Sequence, residues 1–304
     1  MKLIEANPIA YSDITSSNLT LETAWTAGTY ALGVERRHAD DDGNEWIWQV
    51  VADPSTTDEP SFSSTDWSAV GVPNKYAPFY GTVSFKGFRP TEIIATNADT
   101  LEWEIDVTSP VTGLYMEGLA CTEVSIVVTE TTTGDIYDET HALDDQTDYQ
   151  FDYWRWFFLP IEPTTTLTVT DINFPIGSSV AITVTNTGST AECSAIVMGM
   201  VNEYGTTLGG ASAKLKSRSI RRTTDLTTEL RRRTPATVIS WSVHCNRGTG
   251  AFLKRKLDGL EGKLAVFIPS DSRPEFTSFS FLSDYSQVSL PNDMSQTTIE
   301  TETP

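Results

Sequence analysis

From about Thr82 to Tyr204 the chain is a succession of short apolar–polar alternations separated by turn residues. Leu101-Glu102-Trp103-Glu104-Ile105-Asp106-Val107 is the cleanest of them. Successive side chains of a strand point to opposite faces, so Leu101, Trp103, Ile105 and Val107 share a buried face while the acids face water. Val124 to Val128, Leu167 to Thr170, Val180 to Val184 and Ala195 to Val201 continue the series, with breaks at Gly134-Asp135, Phe174-Pro175-Ile176-Gly177 and Asn186-Thr187-Gly188. Short strands at this spacing predict an antiparallel β-sandwich over residues 81–205. Before it, residues 23–80 are dense in Trp, Gly and Pro and predict a small Trp-rich β module. Its strand at Trp46 to Val51 is entered through an Asp42-Gly43 hairpin turn. Residues 1–22 read as an N-terminal arm. After Thr206 come strands at Leu226 to Leu230 and Val238 to Val243, then the one good helix candidate, Gly250 to Leu260. There Phe252, Leu253, Leu257 and Leu260 fall at helical spacing, opposite Lys254, Arg255 and Lys256. A buried strand at Leu264 to Ile268 completes an α+β segment over 206–290, and the polar, acidic residues 291–304 read as a flexible tail. The expected fold class is mainly β: the small module, the sandwich, and a C-terminal α+β segment with one short helix.

Composition supports that class. Threonine runs such as Thr131-Thr132-Thr133 and Thr164-Thr165-Thr166 suit a pleated, half-exposed surface better than a helix. No stretch approaches the roughly 20 apolar residues of a membrane-spanning helix, so no membrane insertion is expected. The opening Met1-Lys2-Leu3-Ile4-Glu5 lacks the apolar core of a secretory leader, which predicts a protein made in a cytoplasm. Cys121, Cys193 and Cys245 are odd in number and widely spaced, and they read as buried thiols.

Charge changes the picture more. Residues 1–210 hold 7 Lys/Arg against 31 Asp/Glu, whereas residues 211–304 hold 14 against 10. The basic part is concentrated between Lys214 and Lys263 and includes Arg231, Arg232 and Arg233. An acidic body joined to a basic segment suits contact between neighbouring copies or with another protein. Two ordinary domains of different isoelectric point would give the same count. Nucleic acid is not an expected partner, because the acidic body repels phosphate within a Debye length of roughly 8–10 Å.

Catalytic motifs are missing. There is no Gly-x-Ser-x-Gly, Ser-x-x-Lys, His-Glu-x-x-His or Gly-x-Gly-x-x-Gly, and Gly262-Lys263 lacks the upstream glycine of a phosphate loop. His38, His141 and His244 stand apart from one another, and His244 and Cys245, as strand neighbours, point to opposite faces. Asp40-Asp41-Asp42-Gly43-Asn44-Glu45 lacks the Gly at position six and the Glu at position twelve of a calcium loop and reads as a hairpin turn. The expectation is a chain that is not an enzyme, with no catalytic residues, no metal and no cofactor.

Two aromatic groups remain. Trp25, Tyr30, Trp46, Trp48 and Trp67 form either the core of the small module or a platform on which a glycan stacks. Along Tyr149 to Phe158, Trp154, Trp156 and Phe158 share one face, and Phe151 and Tyr153 share the other with Arg155. One face would fill the sandwich and the other would meet a partner.

At these residues the sequence resembles known proteins. Trp25-x-x-Gly28-x-Tyr30-x-x-Gly33, Trp46, Trp48, Pro60 and Trp67 resemble the small chitin-binding modules appended to chitinases, with a departure at the acidic turn Asp40 to Asp42 and a longer Asp53 to Asp66 loop. Gly71-Val72-Pro73-Asn74-Lys75-Tyr76-Ala77-Pro78-Phe79 resembles the Gly-Pro-Thr-Asn-Arg-Trp-Ala-Met-Phe stretch of a group of phage and prophage virion proteins. The likeness continues at Gly134 to Asp138, Trp154 to Ile161, Cys193 to Gly199, Tyr204 to Ala211 and Phe252 to Ile268. It implies a virion structural protein of a phage tail tip or baseplate, in which 206–290 is an assembly domain and the chain is a distal-tail-type ring subunit. The implied partners are other copies of itself and neighbouring phage tail proteins, with host-surface glycan as the partner in the alternative, an adhesin. Candidate assembly contacts are Arg231, Arg232, Arg233, Trp154 and Trp156.

Overall fold

The computed structural model describes residues 1–52, 56–82, 93–130, 132–143, 164–223, 228–231 and 235–304. The chain is mainly β, and it divides into two compact units, residues 7–199 and residues 1–6 with 200–304. Strand β1 (Lys2–Ala6) belongs to the second of these.

In residues 7–199 the strands are β2 (Ile14–Ser17), β3 (Glu35–Ala39), β4 (Glu45–Val50), β5 (Trp67–Gly71), β6 (Ala95–Asp106), β7 (Gly113–Glu117), β8 (Glu123–Glu130), β9 (Gly134–Ala142), β10 (Thr166–Val169) and β11 (Ser178–Cys193). Strand β12 (Ala195–Glu203) pairs with β7 through residues 195–199. They form a three-stranded sheet, β3-β4-β5, a five-stranded sheet, β2-β6-β11-β8-β9, and the ladder β10-β7-β12, with every pairing antiparallel. The alternation in β6 is as expected, with Leu101, Trp103 and Ile105 buried and Glu102, Glu104 and Asp106 exposed. Val124, Ile126 and Val128 of β8 and Val180, Ile182 and Val184 of β11 bury the same way.

The small module does not stand alone. Trp46, Trp48 and Trp67 belong to one continuous core with Trp103, Ile126, Ile182 and Met198. Phe79 meets Trp103 edge-on at 6.1 Å, Trp103 Nε1 donates to the Lys75 carbonyl (3.0 Å), and the Tyr76 hydroxyl donates to the Ile9 carbonyl (3.0 Å). A segment of this size buries too little apolar surface by itself, so it shares the sandwich core.

The other unit contains β13 (Thr206–Lys216), β14 (Ile220–Thr223), β15 (Thr228–Arg231), β16 (Ala236–Asn246), β17 (Leu264–Ile268), β18 (Ser278–Ser289), β19 (Met294–Glu302) and one helix, α1 (Arg247–Asp258). Its antiparallel sheet runs β1-β17-β18-β19-β16-β13, and β14 and β15 form a separate two-stranded ribbon. The helix begins three residues before the expected Gly250 because Asn246 Oδ1 accepts from the Thr249 amide (2.8 Å), a side-chain cap. Leu253 and Leu257 are buried as expected, but Phe252 faces outward with its ring beside Tyr204.

Both chain ends differ from expectation. The arm contributes β1, which pairs with β17 from Lys2↔Ile268 to Glu5↔Ala265 and buries Leu3 and Ile4. The acidic tail forms β19, which lies between β18 and β16 with Ser295, Thr297, Ile299 and Thr301 buried. Only one of those four is apolar, so the buried face carried no hydrophobic signal. The hairpin entering it has Asn292 and Asp293 at positive φ (62° and 57°), which is how a tight I′-like turn matches strand twist.

Candidate functional site

The five aromatic residues at 25–67 are held by strands β3 to β5 and the loops around them. Asp40 organises the acidic turn. Its Oδ1 accepts from the amides of Asp42 (3.0 Å) and Asn44 (2.9 Å), and its Oδ2 accepts from Trp46 Nε1 (3.0 Å). The turn is a hydrogen-bonded hairpin, with Gly43 at φ +82°, a conformation that suits glycine. Trp48 Nε1 donates to the His38 carbonyl (3.0 Å), Trp67 Nε1 to the Asp58 carbonyl (2.8 Å), and the Tyr30 hydroxyl to the Thr26 carbonyl (2.5 Å).

Exposure decides between the two roles weighed for this group. Trp48 is 0% exposed, Trp46 2%, Trp67 3% and Tyr30 8%. Rings this deep present no face to a sugar, so these four residues are core. Trp25 is half-buried, packs edge-on against the His38 ring at 5.2 Å, and has a buried indole N–H with no hydrogen-bond partner among the described residues. Phe62, which falls in no periodic pattern of the sequence, is half exposed and lies edge-on over Trp46 (5.3 Å) and Trp48 (4.9 Å).

The second group is the basic segment. Lys214 is exposed on β13, and Arg247, Lys254 and Arg255 are exposed on α1. Several cations are already paired within the unit: Lys256 with Glu5 (2.8 Å), Lys254 with Asp258 (2.9 Å), and Lys216 and Arg218 with the two oxygens of Glu302 (2.7 and 2.6 Å). Arg231 ends β15. Arg232, Arg233, Trp154 and Trp156 lie outside the described residues, as does the side chain of Arg231.

No protein-family model, curated protein or solved structure matches the chain. The chemistry must therefore be read from the residues themselves. All three cysteines are free and buried, and burial pushes the Cys121 thiol up to about 11 and the Cys193 and Cys245 thiols upward, which keeps them protonated and unreactive near neutral pH. His38 Nε2 lies 2.9 Å from Glu59, and His141 lies 3.9 Å from Glu139 on the same strand. Among the described residues no group of three or more His, Cys, Asp or Glu could hold a metal ion, and no helix is long and apolar enough to cross a membrane.

Glu302 gives a pH prediction. Hydrogen bonds from Lys216 and then Arg218 hold its carboxyl below the usual carboxylate range. A depressed carboxylate stabilises the fold above its unfolded pKa of about 4.3, and that contribution is lost as pH falls through the lower, folded value. Near neutrality the wild type is expected to melt above Glu302→Gln. The gap should narrow below about pH 4 and close as the carboxyl protonates. Thermal melts of the pair across that range are the check, and a constant gap would contradict the linkage.

Proposed function

We propose that this chain is a structural protein of a bacteriophage tail tip or baseplate, built to assemble with copies of itself and with neighbouring tail proteins, as a distal-tail-type ring subunit does. The observation that carries this reading is the division of charge along the boundary between the two compact units. Residues 7–199 hold 29 Asp/Glu against 6 Lys/Arg, whereas residues 1–6 with 200–304 hold 15 Lys/Arg against 12 Asp/Glu. A net charge of −20 keeps copies apart unless patches of opposite sign meet. Repeated head-to-tail contact needs two different complementary patches on each subunit, and one acidic and one less acidic, locally basic unit supply the raw material. The tail-tip setting comes from the sequence resemblance, which runs through both units.

The alternative, an attachment protein that binds host glycan, loses Tyr30, Trp46, Trp48 and Trp67 to the core.

The test uses particles. In a strain producing phage with this chain, reversing Arg231, Arg232 and Arg233 together to glutamate is expected to stop tail assembly while the purified variant keeps the wild-type circular dichroism. Labelled antibody against the chain should mark the tail tip of wild-type particles. Normal tails from the variant, or particles that lack the chain, would overturn the proposal.

A further inference from the structure

Two strands of opposite charge close the outer edges of their sheets. Strand β9 pairs only with β8, and β13 pairs only with β16, among the described residues. Among the described residues each therefore presents one unused row of backbone N–H and C=O groups, a template for another strand.

β9 is acidic and exposed along nearly its whole length, with only Tyr137 and His141 partly covered. It carries Asp135, Asp138 and Glu139. Asp135 accepts from Thr129 Oγ1 (2.8 Å) and Glu139 from the Tyr137 hydroxyl (2.9 Å), whereas Asp138 points to solvent. β13 is exposed on both faces from Ser212 to Lys216 and carries Lys214 and Lys216. Glu302 engages Lys216, whereas Lys214 forms no ion pair among the described residues.

Lysine on an edge strand is a common protection against unwanted pairing. Protection alone does not account for the apolar residue beside the charges on each strand. Leu215 is 70% exposed between two exposed lysines, and Ile136 is 41% exposed between the exposed Asp135 and the half-buried Tyr137. An edge that carries both an apolar side chain and a charge matched by the opposite charge on a second edge is suited to selective pairing.

We propose that the β13 edge of one copy adds to the β9 edge of the next, joining copies through backbone hydrogen bonds, with Lys214 facing the Asp135-to-Glu139 acids and Leu215 and Ile136 covered at the seam. The occupant is a second copy of this chain. This inference rests on the assembling role proposed above and names the surface that performs it. Main-chain bonds supply affinity in strand addition, and the flanking side chains supply selectivity. The two edges differ, so the contact is heterologous and leaves a free edge at each end for further copies.

The experiment uses the full chain, measured by sedimentation velocity over a concentration series at low salt and at about 1 M salt, where the Debye length falls to about 3 Å. Wild type is expected to self-associate, more weakly at high salt. Lys214→Glu alone and Asp138→Lys alone should each weaken association ~10-fold or more, because like charges then face each other. An equimolar mixture of the two variants should associate again, since the reversed β13 of one meets the reversed β9 of the other. Hydrogen exchange of wild type, which needs no variant to fold, should show β9 and β13 amides gaining protection as concentration rises. Association that neither variant alters, with no added protection in β9 or β13, would overturn the edge contact and leave the assembling role standing. A wild type that stays monomeric throughout would also overturn the edge contact, and the particle experiment would then judge the tail-tip reading separately.

Discussion

Trp48→Ala is expected to destabilise residues 7–199 by about 3–5 kcal/mol, the usual cost of truncating a fully buried large aromatic. Trp48 has no exposed surface, its indole N–H is bonded to the His38 carbonyl, and the Phe62 ring lies 4.9 Å away. Removing it opens a cavity and leaves that carbonyl without its indole donor. Because the module and the sandwich share one core, the loss should appear as a lower denaturant midpoint for the whole 7–199 unit. Hydrogen exchange resolved along the chain is the direct measurement. Loss of protection in β6, β8 and β11 as well as in β3 to β5 is the expected pattern. A variant of unchanged stability that had lost only an affinity for chitin-type oligosaccharides would return Trp48 to a binding role.

Gly205→Ala should be the most damaging small substitution in the other unit. Gly205 sits at φ +123°, where side chains are rarely tolerated, and a Cβ there would fall 2.5 Å from the His244 carbonyl oxygen and 2.9 Å from Cys245 Cβ. The nearest obstacle is backbone, which cannot swing aside as a flexible side chain would. Overpacking and backbone strain each cost roughly 1–3 kcal/mol, so a loss of about 3 kcal/mol is expected. Trp241 is the single tryptophan of residues 1–6 and 200–304, so its near-ultraviolet signal together with exchange over 200–304 localises the damage. Wild-type melting of this variant would mean that the β13–β16 junction shifts to accommodate a methyl group.

What could be read in advance follows from how each element buries itself. β6 announced itself because one face is apolar and the other acidic, and the hairpin at Asp42-Gly43 because its glycine adopts a positive φ. The helix is visible through Leu253 and Leu257, whereas its start depends on the Asn246 cap, which lies outside the apolar periodicity. β19 stayed hidden because threonine and serine fill three of its four buried positions between neighbouring strands. β9 gives no strand signal because it is almost wholly exposed and carries no periodic core face. For the aromatic cluster, residue type alone could not separate a sugar platform from a core. The difference lies in what packs over the rings, and much of that cover comes from residues distant in sequence.

The pairing of β1 with β17 has a consequence for synthesis. Residues 2–5 find their partners at 265–268, some 260 positions later. At about 5–20 residues per second a ribosome needs roughly 13–50 s to cover that interval, so a nascent strand carrying Leu3 and Ile4 waits without β17 while the intervening acidic unit can already fold. Chains halted before residue 264 should leave the β17 side of that apolar strand unpaired, and they should be the species that chaperones retain.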